Sequence, residues 1–142
     1  MGYVSRITDS DGWLLPGQLV EGTLTAAVDG TATDESDNEV VGEVVRVELK
    51  AATLKNSATV KGYESDALGA VGSRNDFCAA VGAGSAFAKE ILPGILGTDI
   101  VGANLSGGLA GNVFRPKVHG KVTMALSGAN EGEVVSYRIL IR

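Results

Sequence analysis

Alternation of apolar and polar residues recurs along this chain and constrains its fold more than any other feature. Residues 45–50 alternate valine or leucine with a charged residue, and residues 134–141 place an apolar residue at every second position. A two-residue period puts those apolar side chains on one face of a β-strand. The sequence therefore predicts half-buried strands, with inward-facing residues Val45, Val47, Leu49, Val135, Tyr137, Ile139 and Ile141.

The same kind of pattern predicts further strands along the chain. They lie at residues 3–8, 19–26, 40–45, 58–64 and 117–126. Two hairpins follow from the spacing of strands and polar turns. Strand 45–50 is predicted to pair with 58–64, and strand 117–126 with 134–141, which makes 117–141 a C-terminal hairpin.

The first third of the chain is acidic. Residues 1–45 contain nine of the 17 acidic residues but only one of the 12 lysines and arginines. Five of those acids fall in segment 29–39, which is predicted to be an exposed, mobile acidic loop. The net charge of −5 argues against nucleic-acid binding, which needs basic residues that neutralise phosphates. The contrast with the mildly basic remainder is a charge pattern through which identical subunits can attract each other.

Glycine is concentrated in the middle of the chain. Ten of the 20 glycines lie in segment 65–113, which sustains no helical period over ten or more residues. Long loops are predicted there, with one helical turn at 75–80 or 85–91 and a short strand at 112–115. Because such segments often become ordered only against a neighbour, this glycine-rich insert is a predicted subunit interface.

These patterns together indicate an all-β fold. Short strands joined by polar turns, without helical crossovers, favour an antiparallel β-sandwich or a jelly-roll-like barrel that carries a long glycine-rich irregular segment. We expect residues 1–142 to form one β domain. The first residues contain no apolar run of signal-peptide length, and no apolar stretch approaches about 18 residues. We therefore expect synthesis in the cytoplasm and no membrane contact.

Catalytic chemistry finds little support in the sequence. Cys78 and His119 are the only cysteine and histidine, and the apolar setting of Cys78 predicts a buried, unreactive thiol. No serine is flanked by glycines at −2 and +2, as a nucleophile elbow requires. The Gly82-Ala83-Gly84 sequence lacks the third glycine of a dinucleotide-binding loop. The low aromatic content, 5%, also argues against a sugar-hydrolase cleft. We expect no enzyme activity and no catalytic residues.

Metal and cofactor binding are also weakly supported. One histidine and one cysteine cannot make a zinc site without several carboxylates. The sequence from Asp9 to Gly12 resembles part of a calcium loop but has Val20 where the last ligand should be Glu. The acids at 34–39 could surround a hard cation, or they could form an ordinary solvated loop. No cofactor is predicted.

An apolar cluster near the start of the chain has two interpretations. Trp13, Leu14 and Leu15 precede Pro16-Gly17, and they either anchor the protein on another chain or plug the end of the sandwich. No small-molecule or metal site emerges from the sequence, so the candidate site residues are interface residues. They are Trp13, Leu14, Leu15, Phe77, Phe87, Ile95, Leu96 and Phe114.

The C-terminal region resembles small virion proteins of tailed bacteriophages. The sequence VHGKVTMALSGA at 118–129, followed by the strand at 134–142, is similar in style to decoration (cement) and other auxiliary head proteins. The resemblance implies a β-rich module on a capsid, with the major capsid protein as partner, in a homo-oligomer for which a trimer is favoured. It implies a location on the capsid surface of the virion. A tail or head–tail connector component, and a small calcium- or carbohydrate-binding β-sandwich module, are alternatives.

Overall fold

The computed structural model describes residues 1–8, 10–65, 76–93 and 115–142. In these residues it contains strands and no helix. The strands are β1 (Tyr3–Thr8), β2 (Leu14–Thr25), β3 (Ala32–Glu35), β4 (Val40–Ala51), β5 (Thr59–Glu64), β6 (Cys78–Val81), β7 (Phe87–Ile91), β8 (Lys117–Gly120), β9 (Val122–Ser127) and β10 (Val134–Ile141).

The strands form two antiparallel sheets. The larger has the order β1-β2-β10-β4-β7, with β8 also paired to β4, and the smaller has the order β3-β9-β5-β6. One cluster of buried apolar side chains, contributed by both sheets, lies between them. The prediction of an all-β, antiparallel sandwich is confirmed.

The predicted alternation is confirmed in the strands from which it was inferred. Val47 and Leu49 are buried, while Arg46 and Lys50 on the opposite face are exposed. In β10 all four predicted inward-facing residues are buried. Val45 and its neighbour Val44 are both buried, because the register of β4 against β10 shifts by one residue next to them. The segments at 40–45 and 45–50 are one strand, β4.

Both predicted hairpins are wrong. The predicted partners 117–126 and 134–141 lie in different sheets, because β9 pairs with β3 and β5 while β10 lies between β2 and β4. The predicted pair at 45–50 and 58–64 is likewise divided between β4 and β5. Strands β4 and β9 each have one apolar face, and the loop that follows each of them crosses from one sheet to the other. The two apolar faces therefore pack against each other rather than side by side.

Two loop regions also differ from expectation. The acidic loop 29–39 contains strand β3, and Asp34 within it is buried. A helical turn at 75–80 or 85–91 was expected, but the described residues there form β6 and β7. The backbone groups of β6 pair with β5, and those of β7 pair with β4, so both segments are strands. Of the predicted strand at 112–115, residues 112–114 lie outside the described residues.

Two connections bridge the sheets near the start of β9. In the first, β8 pairs with β4 of the larger sheet, and β9, one residue later, belongs to the smaller sheet. Gly120 makes this bend with φ of 137°, a conformation that residues with a side chain rarely adopt. Close to this bend, Gly2 forms a parallel bridge with Ser36, whose backbone N–H donates to the carbonyl of Val122 at 2.9 Å.

The two ends of the sandwich differ in construction. The loop end consists of the connections 26–31, 52–58 and 128–133, which are hydrogen-bonded to one another. Ala129 N donates to the carbonyl of Gly30 (3.2 Å), and Lys55 N donates to the Glu133 carboxylate (3.1 Å). These bonds hold the connections of both sheets in place.

The opposite end, the tip end, contains the β1–β2 turn, the start of β4 and the end of β10. The described residues that flank the segments 66–75 and 94–114 lie towards it as well. Ser65 N donates to the carbonyl of Lys121, and Val44 N donates to the carbonyl of Pro116, both at 2.8 Å. The tip end therefore contains the predicted apolar anchor, residues 13–15. It also contains described residues that flank the segments 66–75 and 94–114.

Candidate functional site: an apolar tip beside an apolar hollow

The β1–β2 hairpin presents large apolar side chains to solvent. Trp13 is 74% exposed, Leu14 64% and Leu15 41%. Strand β10 pairs with β2 only from Gln18 to Thr25, so Leu14 and Leu15 lie beyond that pairing, and Leu14 pairs with Thr8 of β1. We call residues 10–15 the tip. Its exposure agrees with the anchor interpretation and rules out the plug, which requires Trp13 to be buried.

An apolar hollow lies next to the tip on the outer face of the larger sheet. Ile7, Leu19 and Leu140, from β1, β2 and β10, line a depression of about 250 Å³. We call these three residues the hollow.

Gly17 lies between the tip and the hollow, where it allows β10 and β1 to approach β2 closely. A Cβ at this position would lie 2.6 Å from the carbonyl oxygen of Ile141 and 3.3 Å from Ile7 Cδ1. The backbone φ of 115° also favours glycine. Gly17 is therefore required by the close approach of β10 and β1 at this point.

A ladder of alternating charges crosses the sheet beside the hollow. Arg138 lies 3.0 Å from Glu21 and 3.6 Å from Glu48, and Arg46 contacts Glu48 and lies 3.3 Å from Glu90. The ladder runs over β2, β10, β4 and β7. All five side chains are about a third exposed or more. Such ion pairs contribute about 0–1 kcal/mol each, so a partner can rearrange them at small cost.

A shallow polar depression of about 800 Å³ continues from the ladder along the same face. Tyr3, Thr23, Lys50 and Ser136 line it together with ladder residues. Two tyrosines line it, Tyr3 with 69% exposure and Tyr137 with 4%. The depression lacks the several stacking aromatics that a sugar site would call for.

A buried polar contact joins the two sheets. The Tyr137 hydroxyl donates to Asp34 Oδ2 at 2.7 Å, and the amino group of Met1 lies 2.6 Å from Asp34 Oδ1. Burial, and secondly the hydrogen bond to Asp34, raise the pKa of Tyr137 well above its usual value of 10.0. The phenol therefore stays protonated and acts as a structural donor. This pair was missed in the sequence, although one tyrosine among aliphatic inward-facing residues signals a buried hydroxyl that needs a partner.

The other predicted interface residues are not at the tip. Phe77 is 0% exposed and Phe87 6%, so the prediction that they form an interface is wrong. Phe77 precedes β6 and Phe87 begins β7, and in both places the ring packs into the core between the sheets. Ile95, Leu96 and Phe114 lie outside the described residues. Within the described chain, Trp13, Leu14 and Leu15 remain as candidates.

The structure does not bring the cysteine and histidine into a catalytic arrangement. Cys78 is fully buried, and burial raises the pKa of its thiol to about 12. His119 is exposed on β8, where its backbone N–H donates to the Glu64 carboxylate at 3.0 Å. The prediction that this thiol is buried is confirmed.

The acids of segment 29–39 have separate structural contacts. Asp29 accepts from the Thr31 hydroxyl at 2.7 Å, which lowers the pKa of Asp29. Asp37 accepts from Val4 N at 2.9 Å, and Glu35 lies 3.7 Å from the Lys121 amine. Asp34 and Glu35 point to opposite faces of β3. Among the described residues, no three His, Cys, Asp or Glu side chains gather as metal ligands.

Comparison with known proteins identifies no family. No family model and no curated protein matches the chain. Among solved structures, the K3 cleaved adhesin domain of Lys-gingipain from Porphyromonas gingivalis W83 aligns with 95% of this chain and 82% of its own. The TM-score is 0.44 and the identity 10%, so neither activity nor partners transfer from that protein. Nowhere in the described ranges is there a helix long and apolar enough to span a bilayer.

Proposed function

We propose that this protein is a structural subunit that decorates and reinforces a bacteriophage capsid. The observation that carries the proposal is the tip, where three consecutive large apolar side chains are exposed to solvent. Clustered exposed apolar residues that include tryptophan are typical of protein–protein contacts. The resemblance of residues 118–142 to auxiliary head proteins supplies the class of partner, the major capsid protein.

The proposed role depends on apolar contact area buried against the capsid and requires no catalytic reaction. Contact with neighbouring capsomers removes apolar area from water, which stabilises the assembly by roughly 25 cal/mol per Å². Many weak contacts repeated over a closed lattice then act together as avidity. An ordered sandwich with a separate apolar tip suits this role, because the core stays intact when the tip is buried.

The test uses capsids assembled from the major capsid protein encoded in the same genome. Purified protein is mixed with these capsids and sedimented, and the bound amount is measured against concentration. We expect saturable binding at a fixed ratio to the capsid subunits, together with a higher melting temperature of the capsid. Absence of co-sedimentation would overturn the proposal. Polymerisation of the isolated protein into tubes would instead indicate a tail component.

A further inference from the structure

We infer that Asp11 in the tip is a site of spontaneous covalent modification, at which the aspartate rearranges to isoaspartate. The chain contains two Asp-Gly sequences, Asp11-Gly12 and Asp29-Gly30, and no Asn-Gly sequence. Aspartate rearranges most readily before glycine, because glycine has no Cβ to hinder the attack of its own backbone nitrogen. The structure separates the two sequences by how firmly it holds the peptide bond within each.

The reaction needs no enzyme and no reactant other than water. The backbone nitrogen of Gly12 attacks Cγ of the protonated Asp11 carboxyl, so that an N–C bond forms and a carboxyl oxygen leaves as water. The five-membered succinimide then adds one water molecule at either of its carbonyl carbons. Opening at Cγ restores aspartate, whereas opening at the backbone carbonyl carbon leaves the main chain running through Cγ. Isoaspartate therefore has the same mass as aspartate and a main chain that is one atom longer.

Packing and hydrogen bonds hold the Asp29-Gly30 peptide at the loop end. Gly30 is buried, its N–H donates to the carbonyl of Ala27 at 2.9 Å, and its carbonyl accepts from Ala129 N at 3.2 Å. A Cβ on Gly30 would collide with the Ala129 carbonyl oxygen, so this peptide has little room to rotate. The hydrogen bonds from Thr31 lower the pKa of Asp29, whereas the reaction needs the protonated carboxyl. Both reacting groups are therefore engaged in other contacts.

The Asp11-Gly12 peptide lies instead in the exposed turn between β1 and β2. Both residues are exposed. Among the residues that the structure describes, and apart from the two chain neighbours of Gly12, none places an atom within 4 Å of a Cβ built on Gly12. The peptide therefore has room to rotate and to bring the nitrogen against the carboxyl carbon, the approach that an intramolecular attack requires. Exposed turns also open at a small cost in free energy.

Isoaspartate at position 11 changes the shape of the tip. The added main-chain atom lies two residues before Trp13, so it shifts the indole relative to β2. The modified tip no longer presents the same apolar surface, and we expect it to bind its partner more weakly. This consequence rests on the proposed function, whereas the rearrangement itself does not.

An endoproteinase that cuts before aspartate but not before isoaspartate tests both sequences in one sample. The wild type is incubated in mildly acidic buffer, either folded or in urea, and is then denatured and digested. Mass spectrometry follows cleavage of the Ser10–Asp11 and Val28–Asp29 bonds. In the folded protein we expect cleavage before Asp11 to be lost at least about tenfold faster than cleavage before Asp29. In urea, where the contacts of Gly30 are absent, we expect the two rates to be similar.

Equal rates at the two bonds in the folded protein, or no loss of cleavage before Asp11, would overturn the inference. Aged protein sedimented with a limiting amount of capsids should leave isoaspartate enriched in the supernatant, and equal proportions in pellet and supernatant would refute the effect on the tip. Asp11→Glu is the matched control, since it keeps the charge but cannot form the five-membered ring, so its capsid binding should not change with age. If fresh wild type fails to sediment with capsids, the proposed function is refuted, while the digestion still decides the rearrangement.

Discussion

At the scale of single residues, one buried contact ties the sandwich together. Tyr137 lies on β10 in the larger sheet and Asp34 on β3 in the smaller, and their 2.7 Å hydrogen bond spans the core. A buried polar group without a partner is costly, so each residue depends on the other. The alternation in 134–141 predicted that Tyr137 faces inward. It could not predict Asp34 as partner, because the pairing joins residues 103 positions apart.

Replacing the phenol tests the value of this bond. We expect Tyr137→Phe to lower the free energy of unfolding by about 1–3 kcal/mol, because a buried Asp34 oxygen loses its donor. Urea denaturation followed by circular dichroism measures the change. Tyr3→Phe is the control, since Tyr3 is 69% exposed and should change stability by less than about 0.5 kcal/mol. Equal stabilities of the two variants would contradict a structural role for the bond.

Cys78 gives a second prediction at this scale. Because burial raises its pKa from 9.0 to about 12, the folded state favours the neutral thiol. Its contribution to stability is therefore complete below pH 9.0 and is lost as the pH rises towards about 12. At pH 8 we expect a thiol-disulfide reagent to modify the native protein at least about a hundredfold more slowly than protein in urea. Rapid modification of the native protein would place Cys78 outside the core.

At the scale of strands, the sequence predicted which face of a strand is buried but not which strands pair with each other. The period of two in 45–50 identified the buried face of β4 but carried no information on its neighbours. Strand β10 and strand β4 are adjacent in the sheet although residues 52–133 separate them in sequence. The predicted hairpins failed because a short connection serves equally well to join strands within one sheet or to cross between two.

Gly22 on β2 tests the packing of strands around the buried pair. A Cβ there would lie 2.4 Å from Asp34 Oδ2 and 2.5 Å from the Tyr137 oxygen, so Gly22→Ala must displace one of them. We expect a loss of about 2 kcal/mol or more in urea denaturation, as for overpacked cores. Thr23→Ala, on the exposed face of the same strand, should cost less than about 1 kcal/mol. The account fails here if Gly22→Ala is no less stable than Thr23→Ala.

At the scale of the whole molecule, we assign stability to one end of the sandwich and association to the other. Interlocked connections hold the loop end, while the tip end exposes Trp13, Leu14 and Leu15. The sequence left this cluster as either an anchor or a plug, and its exposure in the structure agrees with the anchor. The hollow was not predictable, since Ile7, Leu19 and Leu140 become neighbours only when β1, β2 and β10 pair.

The central claim, that this protein acts by association through its tip, is tested most directly by capsid co-sedimentation of three proteins. We expect the wild type and Val28→Ser to bind capsids with equal affinity. Trp13→Ser should bind at least tenfold more weakly, because the tip contact that it removes is repeated over the whole lattice. Melting temperatures near that of the wild type confirm that both variants fold. Binding of Trp13→Ser with wild-type affinity would contradict the account.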